Sequence, residues 1–182
     1  MTAPARLTVR QIVDGLGRKA RFSVLLCGVL AFAASALRQD FLAPLLCACL
    51  GTAAAAIVII DLHQFRIADL LSLPLIPLGL AHAALTQPIL PRLVAMALIS
   101  VGLEVLRWGF RHWRGASGLG SGDVKLMTAA AAWLPPEVIP LYLLSACLSG
   151  LLTALASRTN HRNVIAFGAH LAPWLVGFVL LG

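Results

Sequence analysis

The chain has 182 residues, of which 60% are apolar and only 12% are charged, and its mean hydropathy is +0.92. A soluble fold of this size cannot hide so many apolar side chains, because much of its surface stays wet, and soluble domains run at about 45–50% apolar and about 25% charged; a secreted mini-protein, a disordered tail and a coiled coil fail on the same figures, which leaves an integral membrane protein. The surplus of 14 Lys+Arg over 7 Asp+Glu, a net charge of +7, reads as cytoplasmic loops rather than a nucleic-acid surface, since no basic patch is interleaved with aromatics in the manner of such a surface.

Taken in chain order, residues 1–21 carry Arg6, Arg10, Arg18, Lys19 and Arg21. They are expected to form a basic cytoplasmic segment ahead of a retained first helix, with 22–182 as one transmembrane domain. The apolar runs are Phe22–Leu37, Phe41–Ile60, Leu70–Pro91, Leu93–Leu106 (with Glu104 inside), Val124–Pro136, Val138–Ser157 and Asn163–Gly182. A spanning helix needs about twenty residues. The second, third, sixth and seventh runs meet that length, and the others reach it by borrowing flanking residues. The predicted fold is all-α, a polytopic membrane bundle of six or seven helices. With the N-terminus inside, segments 1–21, 61–69, 107–125 and 158–162 hold twelve basic residues, and the external loops hold two, Arg38 and Arg92. That bias places 61–69 and 107–125 in the cytoplasm and calls for seven spans. The glycines of Arg107–Lys125 predict that no helix runs through it intact, and its aromatic and basic start reads as an interfacial anchor. Cys27, Cys47, Cys49 and Cys147 lie in apolar stretches, and Cys47 and Cys49 form C-x-C rather than a zinc-type C-x-x-C pair.

The seven acids are Asp14, Asp40, Asp61, Asp69, Glu104, Asp123 and Glu137. Asp14, Asp40 and Glu137 read as solvated ends. Glu104 lies one helical turn before Arg107, so an i,i+3 pair accounts for it. Asp61 closes the run A-A-A-A-I-V-I-I. Asp123 follows Gly118-Leu119-Gly120-Ser121-Gly122 and opens a helix, where an N-cap is the alternative role. Both stand at a cytoplasmic membrane boundary. Two carboxylates in one site cannot both ionise easily, so one keeps a proton while the other acts as base toward water, the chemistry of an aspartyl peptidase. The glycines before Asp123 would let an extended backbone approach. No P-loop, G-x-S-x-G elbow or H-E-x-x-H is present, and His63, His82, His112, His161 and His170 are scattered. Neither a metal nor a cofactor is therefore expected.

Three segments carry a family resemblance. Asp61-Leu62-His63-Gln64-Phe65-Arg66-Ile67-Ala68-Asp69 resembles the D-x-x-x-x-R-I-P-N segment of type IV prepilin peptidases, the GxGD class of intramembrane aspartyl proteases. Gly120-Ser121-Gly122-Asp123-Val124-Lys125-Leu126 is similar to their G-x-G-D-x-K-L, and Val164-Ile165-Ala166-Phe167-Gly168-Ala169-His170-Leu171-Ala172 to their late I-P-F-G-P-x-L-A. The segments occur in the family's order over roughly residues 50–176. The resemblance implies that Asp61 and Asp123 are the catalytic pair, with Arg66, Gly120, Gly122 and Lys125 supporting. It implies cleavage, on the cytoplasmic side of the inner membrane, of the short basic leader (class III signal peptide) of prepilins or pseudopilins, with the lipid bilayer as surroundings and no nucleic-acid partner. Ala68, Asp69, Ala166 and Ala169 depart from the family's Pro and Asn, and Asp69 is expected to cap the helix that follows. Without two C-x-x-C pairs, the chain resembles the short peptidase-only branch tied to tight-adherence pili, with no methyltransferase expected. The alternatives are a non-enzymatic membrane protein (a transporter subunit or an assembly scaffold), for which the carboxylates would cap helices or bind a cation, and a presenilin-like protease. The latter lacks support, since residue 60 is Ile where a Tyr-Asp motif would need Tyr.

Overall fold

The computed structural model describes residues 18–35, 42–86, 88–115, 118–157 and 166–181. The first 17 residues, Arg38, Ser117 and the late motif's Val164 and Ile165 lie outside them. Within them the chain is all-α: α1 (Arg18–Ser35), α2 (Leu42–Gln64), the single turn α3 (Asp69–Ser72), α4 (Leu75–Thr86), α5 (Ile89–Arg114), α6 (Ser121–Trp133), α7 (Ile139–Ser157) and α8 (Gly168–Leu181). In a bilayer every backbone polar group must be satisfied within the segment, and an apolar chain meets that demand as helix. Among the described residues three helices are long and apolar enough to cross a membrane, Leu42–Gln64, Ile89–Arg114 and Ile139–Ala156; Phe22–Ala33, Asp69–Leu85 and Gly168–Leu181 are shorter apolar helical stretches.

The expected spans are corrected in one place. Leu70–Pro91 is not one helix, because a turn at Leu73–Pro74 separates α3 from α4; a proline has no N–H to give and disfavours helix in the residue before it. The Leu93–Leu106 run reaches spanning length by taking in flanking residues, as expected. α5 starts at Ile89 and continues through Arg107–Arg114, ending where Gly115 takes a left-handed conformation (φ 71°) and donates its N–H to the Arg111 carbonyl at 3.0 Å. Gly109 weakens that last stretch by only about 1 kcal/mol relative to alanine. Ring contacts support the same turns: Trp108 stacks on His112 at 5.5 Å, and the Arg114 guanidinium lies 5.9 Å from the Phe110 ring centre.

α6 is the axis of the bundle. Val124, Leu126, Met127 and Ala129–Trp133 are buried, and α6 packs against α3, α4, α5 and α8. Its alanines let four neighbours approach closely. At its far end the Trp133 indole donates to the Leu75 carbonyl at 2.8 Å, stacks on His82 at 5.2 Å and fills the space left by Gly79. Arg92, expected in an external loop, sits in the first turns of α5, 2% exposed, and its Nη1 donates to the carbonyls of Ala132 (3.2 Å) and Trp133. Those are terminal helix carbonyls, left without intrahelical partners once the Pro135-Pro136 pair stops α6. α5 offers the opposite picture: Leu90, Leu93, Val94, Leu98, Val101, Val105 and Leu106 are exposed, as suits a face turned to lipid.

Candidate active site

The site is built where α2 ends and α6 and α8 begin. α2 carries its apolar run to Asp61 and then one more turn, so that the Phe65 N–H bonds the Asp61 carbonyl at 2.8 Å. Phe65 closes the helix in the left-handed region, φ 52°, the position usually given to glycine. Asp61 is 4% exposed. Its Oδ2 accepts the Ala169 N–H at 2.9 Å, and the Gly168 N–H faces the same carboxylate. These are the free donors of the first turn of α8, at the positive end of its dipole. The late motif thus serves as the cradle of Asp61. A Cβ at Gly168 would stand 2.9 Å from Asp61 Oδ2 and 2.6 Å from Ile67 Cδ1, so no larger residue fits without displacement.

Asp123 is the third residue of α6. Gly120 is the N-cap, with no side chain to contribute, and its N–H bonds the Asp123 carboxylate. Asp123 therefore reaches back to the cap rather than being the cap, in the manner of the acidic member of a capping box. The carboxylate lies in the polar first turn, ahead of the apolar stretch. Burial and the neighbouring Asp61 carboxylate push it up from the ordinary 3.8 to about 6, against the lowering effect of the Gly120 bond. The structure thus brings the two sequence-selected aspartates within electrostatic reach of each other. Asp14 and Asp40 lie outside the described residues, and Glu104 is occupied as expected, bonded to Arg107 Nη2 at 2.5 Å.

The supporting residues divide. The second motif's glycines make room for the chain itself: a Cβ at Gly122 would stand 2.8 Å from Ile67 Cβ, and one at Gly120 would stand 2.8 Å from Asp123 Oδ2. Ile67 is a wedge between α6 and α8. Its place in the first motif was visible in sequence, but its two glycine contacts, with Gly122 and Gly168, were not. Arg66 is exposed in the loop. Asp69 does not cap α3: Ala68 is the N-cap, without a side-chain bond, and Asp69 instead pairs with Lys125, Nζ to Oδ2 2.7 Å. Tyr142, fully buried in α7, donates its hydroxyl to the Leu171 carbonyl at 3.3 Å and so ties down the first turn of α8. Sequence reasoning passed over both Asp69's partner and Tyr142, since neither contact follows from spacing.

A helical membrane protein with two carboxylates, from two helix ends, close enough to influence each other's charge is the class that this fold and site define. The chain belongs to the type IV leader peptidase family, whose model matches residues 48–155. It is 34% identical over 127 residues to a prepilin leader peptidase/N-methyltransferase of Xanthomonas campestris, covering 65% of this chain and 44% of that one. It is 38% identical over 122 residues to the protein of the same name from Escherichia coli K12, covering 64% and 52%, and 34% identical over 126 residues to that of Dickeya chrysanthemi, covering 66% and 43%. The chain spans about half the length of these relatives or less. No solved structure matches it.

Proposed function

We propose that this chain is a membrane-embedded aspartic endopeptidase that removes the short leader of prepilins or pseudopilins at the cytoplasmic face of the inner membrane. The observation that carries the reading is the approach of Asp61 and Asp123 at the mouth of the bundle, with burial and Asp61 together favouring a proton on Asp123 in mildly acidic solution, up to about pH 6. Of the two activities in the relatives' names, the family match speaks for the leader peptidase.

The division of labour follows from the hydrogen bonds. Asp61 is assigned the base toward a water, because its carboxylate faces two backbone donors that hold it in place. Asp123, holding the proton, donates to the scissile carbonyl as the water adds. The tetrahedral intermediate then collapses: the C–N bond breaks, the proton taken up by Asp61 passes to the leaving amine, and a hydroxyl proton returns to Asp123 as the carboxyl product forms. Gly120 and Gly122 keep the Asp123 turn tight, Lys125 holds it to the loop after Asp61, and Arg66 faces the basic leader's side of the membrane as a headgroup anchor.

The experiment is leader cleavage at matched membrane levels. Asp61→Asn and Asp123→Asn preserve size but remove base or acid, and each is expected to lose about 10²–10⁴-fold, while Glu104→Gln stays active. Near wild-type processing by either Asp variant would return the carboxylates to helix capping and favour a scaffold or transporter subunit.

A further inference from the structure

We propose that Asp69 and Lys125 form a surface ion-pair latch that holds the loop after Asp61 in register with the helix bearing Asp123, which makes Asp69 a positioning residue for cleavage. The proposal rests on the reading of the two aspartates as the cleaving pair. The segment between Asp61 and α3 has little to hold it. Phe65 occupies a left-handed conformation that costs a side-chain-bearing residue about 1 kcal/mol or more. His63, Gln64, Phe65 and Arg66 are exposed, and α3 is one turn with no side-chain cap. The segment meets α6 through Ile67, wedged against Gly122, and α3, which packs on α6, adds the Asp69–Lys125 pair at its first residue.

The pair falls where this chain departs from the segment it resembles. The family segment that 61–69 resembles ends in Asn, and here an acid stands in its place, opposite a lysine that comes two residues after Asp123. The Lys125 ammonium is taken up by this carboxylate at 2.7 Å rather than left free to reach headgroups. The side chains are 36% and 58% exposed, so the bond is screened by salt and contributes little to global stability. What it can govern is the fraction of molecules whose loop is seated. An unseated loop moves Ile67 away from Gly122 and Gly168, and with it the Asp61 carboxylate relative to Asp123; a small misplacement of reacting groups is costly in rate.

The test is steady-state cleavage, by the full chain in liposomes, of a peptide carrying a short basic leader before an apolar segment. Asp69→Ala and Lys125→Ala are each expected to lower kcat about three- to fivefold with KM nearly unchanged and the melting temperature in detergent unmoved. The exchanged variant Asp69→Lys/Lys125→Asp should recover most of the wild-type kcat. Raising salt should bring the wild type down toward the single variants and leave those variants unaffected. Single variants at wild-type kcat across all salt levels, or an exchanged variant no better than the singles, would overturn the latch. Asp123→Asn run beside them separates the two readings: its silence with unaltered latch variants removes the latch alone, whereas an active Asp123→Asn removes the underlying peptidase assignment.

Discussion

Asp123 carries an acid–base signature that its sequence position alone does not supply. Its folded carboxyl is pushed up to about 6 from 3.8, first by burial and then by the Asp61 carboxylate. Between those two values the folded chain binds a proton that the unfolded chain releases, so stability falls as pH rises through this window. The penalty is fully present above about 6 and is gone below 3.8. Thermal unfolding in detergent should therefore show the melting temperature of the wild type dropping as pH rises from 4 toward 7, beyond whatever slope the remaining acids produce. In Asp123→Asn that extra slope should be absent. A variant and wild type with parallel profiles would mean that the carboxylate is solvated and titrates as an ordinary surface acid. Position, depth and neighbouring glycines selected Asp61 and Asp123 from the sequence. The N–H donors of Gly168 and Ala169 were beyond its reach, because they come from a helix more than a hundred residues away, and only folding places that helix's first turn against Asp61.

Among the elements, α6 depends on partners at both ends. Its start is tied by Lys125 and by the Gly120 bond, and its end by Trp133 and Arg92. A cation at a helix C-terminus favours the macrodipole, and here it also satisfies carbonyls that no water reaches. Arg92→Met keeps a long apolar stem but leaves those carbonyls without the donor, so a loss of about 2–3 kcal/mol is expected, read as a lowered midpoint in denaturant or a lower melting temperature. Cleavage per folded molecule at a permissive temperature should stay near wild type, since Arg92 is at the end of α6 opposite Asp123. A variant as stable as wild type would show that the carbonyls are met in another way. Arg92 also shows where a hydropathy pattern misleads. A lone charge between two apolar runs looks like a loop marker, because a charge-free window stops there. In the fold it is an internal cap, and the helix begins before it. The Arg107–Lys125 interval holds to its reading: no helix runs through it intact, since α5 ends at Arg114 and α6 opens at Ser121, while the i,i+4 pairs Trp108–His112 and Phe110–Arg114 lie along the end of α5.

At the scale of the whole molecule, the functional proposal stands or falls on which side of the membrane the aspartates face. The sequence bias of twelve basic residues against two rested partly on Arg92 as an external charge. With Arg92 buried and bonded to α6, one of those two opposing charges leaves the loops, so the bias grows. Asp61 lies one turn from the end of α2, and the exposed Gln64 follows it, while Glu137 is exposed beyond the other end of α6. The two residues therefore report opposite faces. None of the native cysteines Cys27, Cys47, Cys49 and Cys147 is in a disulfide, so the measurement needs them replaced first. In that background Gln64→Cys should react with a membrane-impermeant maleimide only after permeabilisation, and Glu137→Cys should react in intact cells. The linkage to mechanism is direct. A basic leader is held on the cytoplasmic side by its charge, so the bond to be cut can reach Asp61 and Asp123 only if Gln64 shares that compartment. Labelling of Gln64→Cys from outside would place the carboxylate pair on the wrong side of the bilayer for a leader peptidase, whatever the activity of the isolated site.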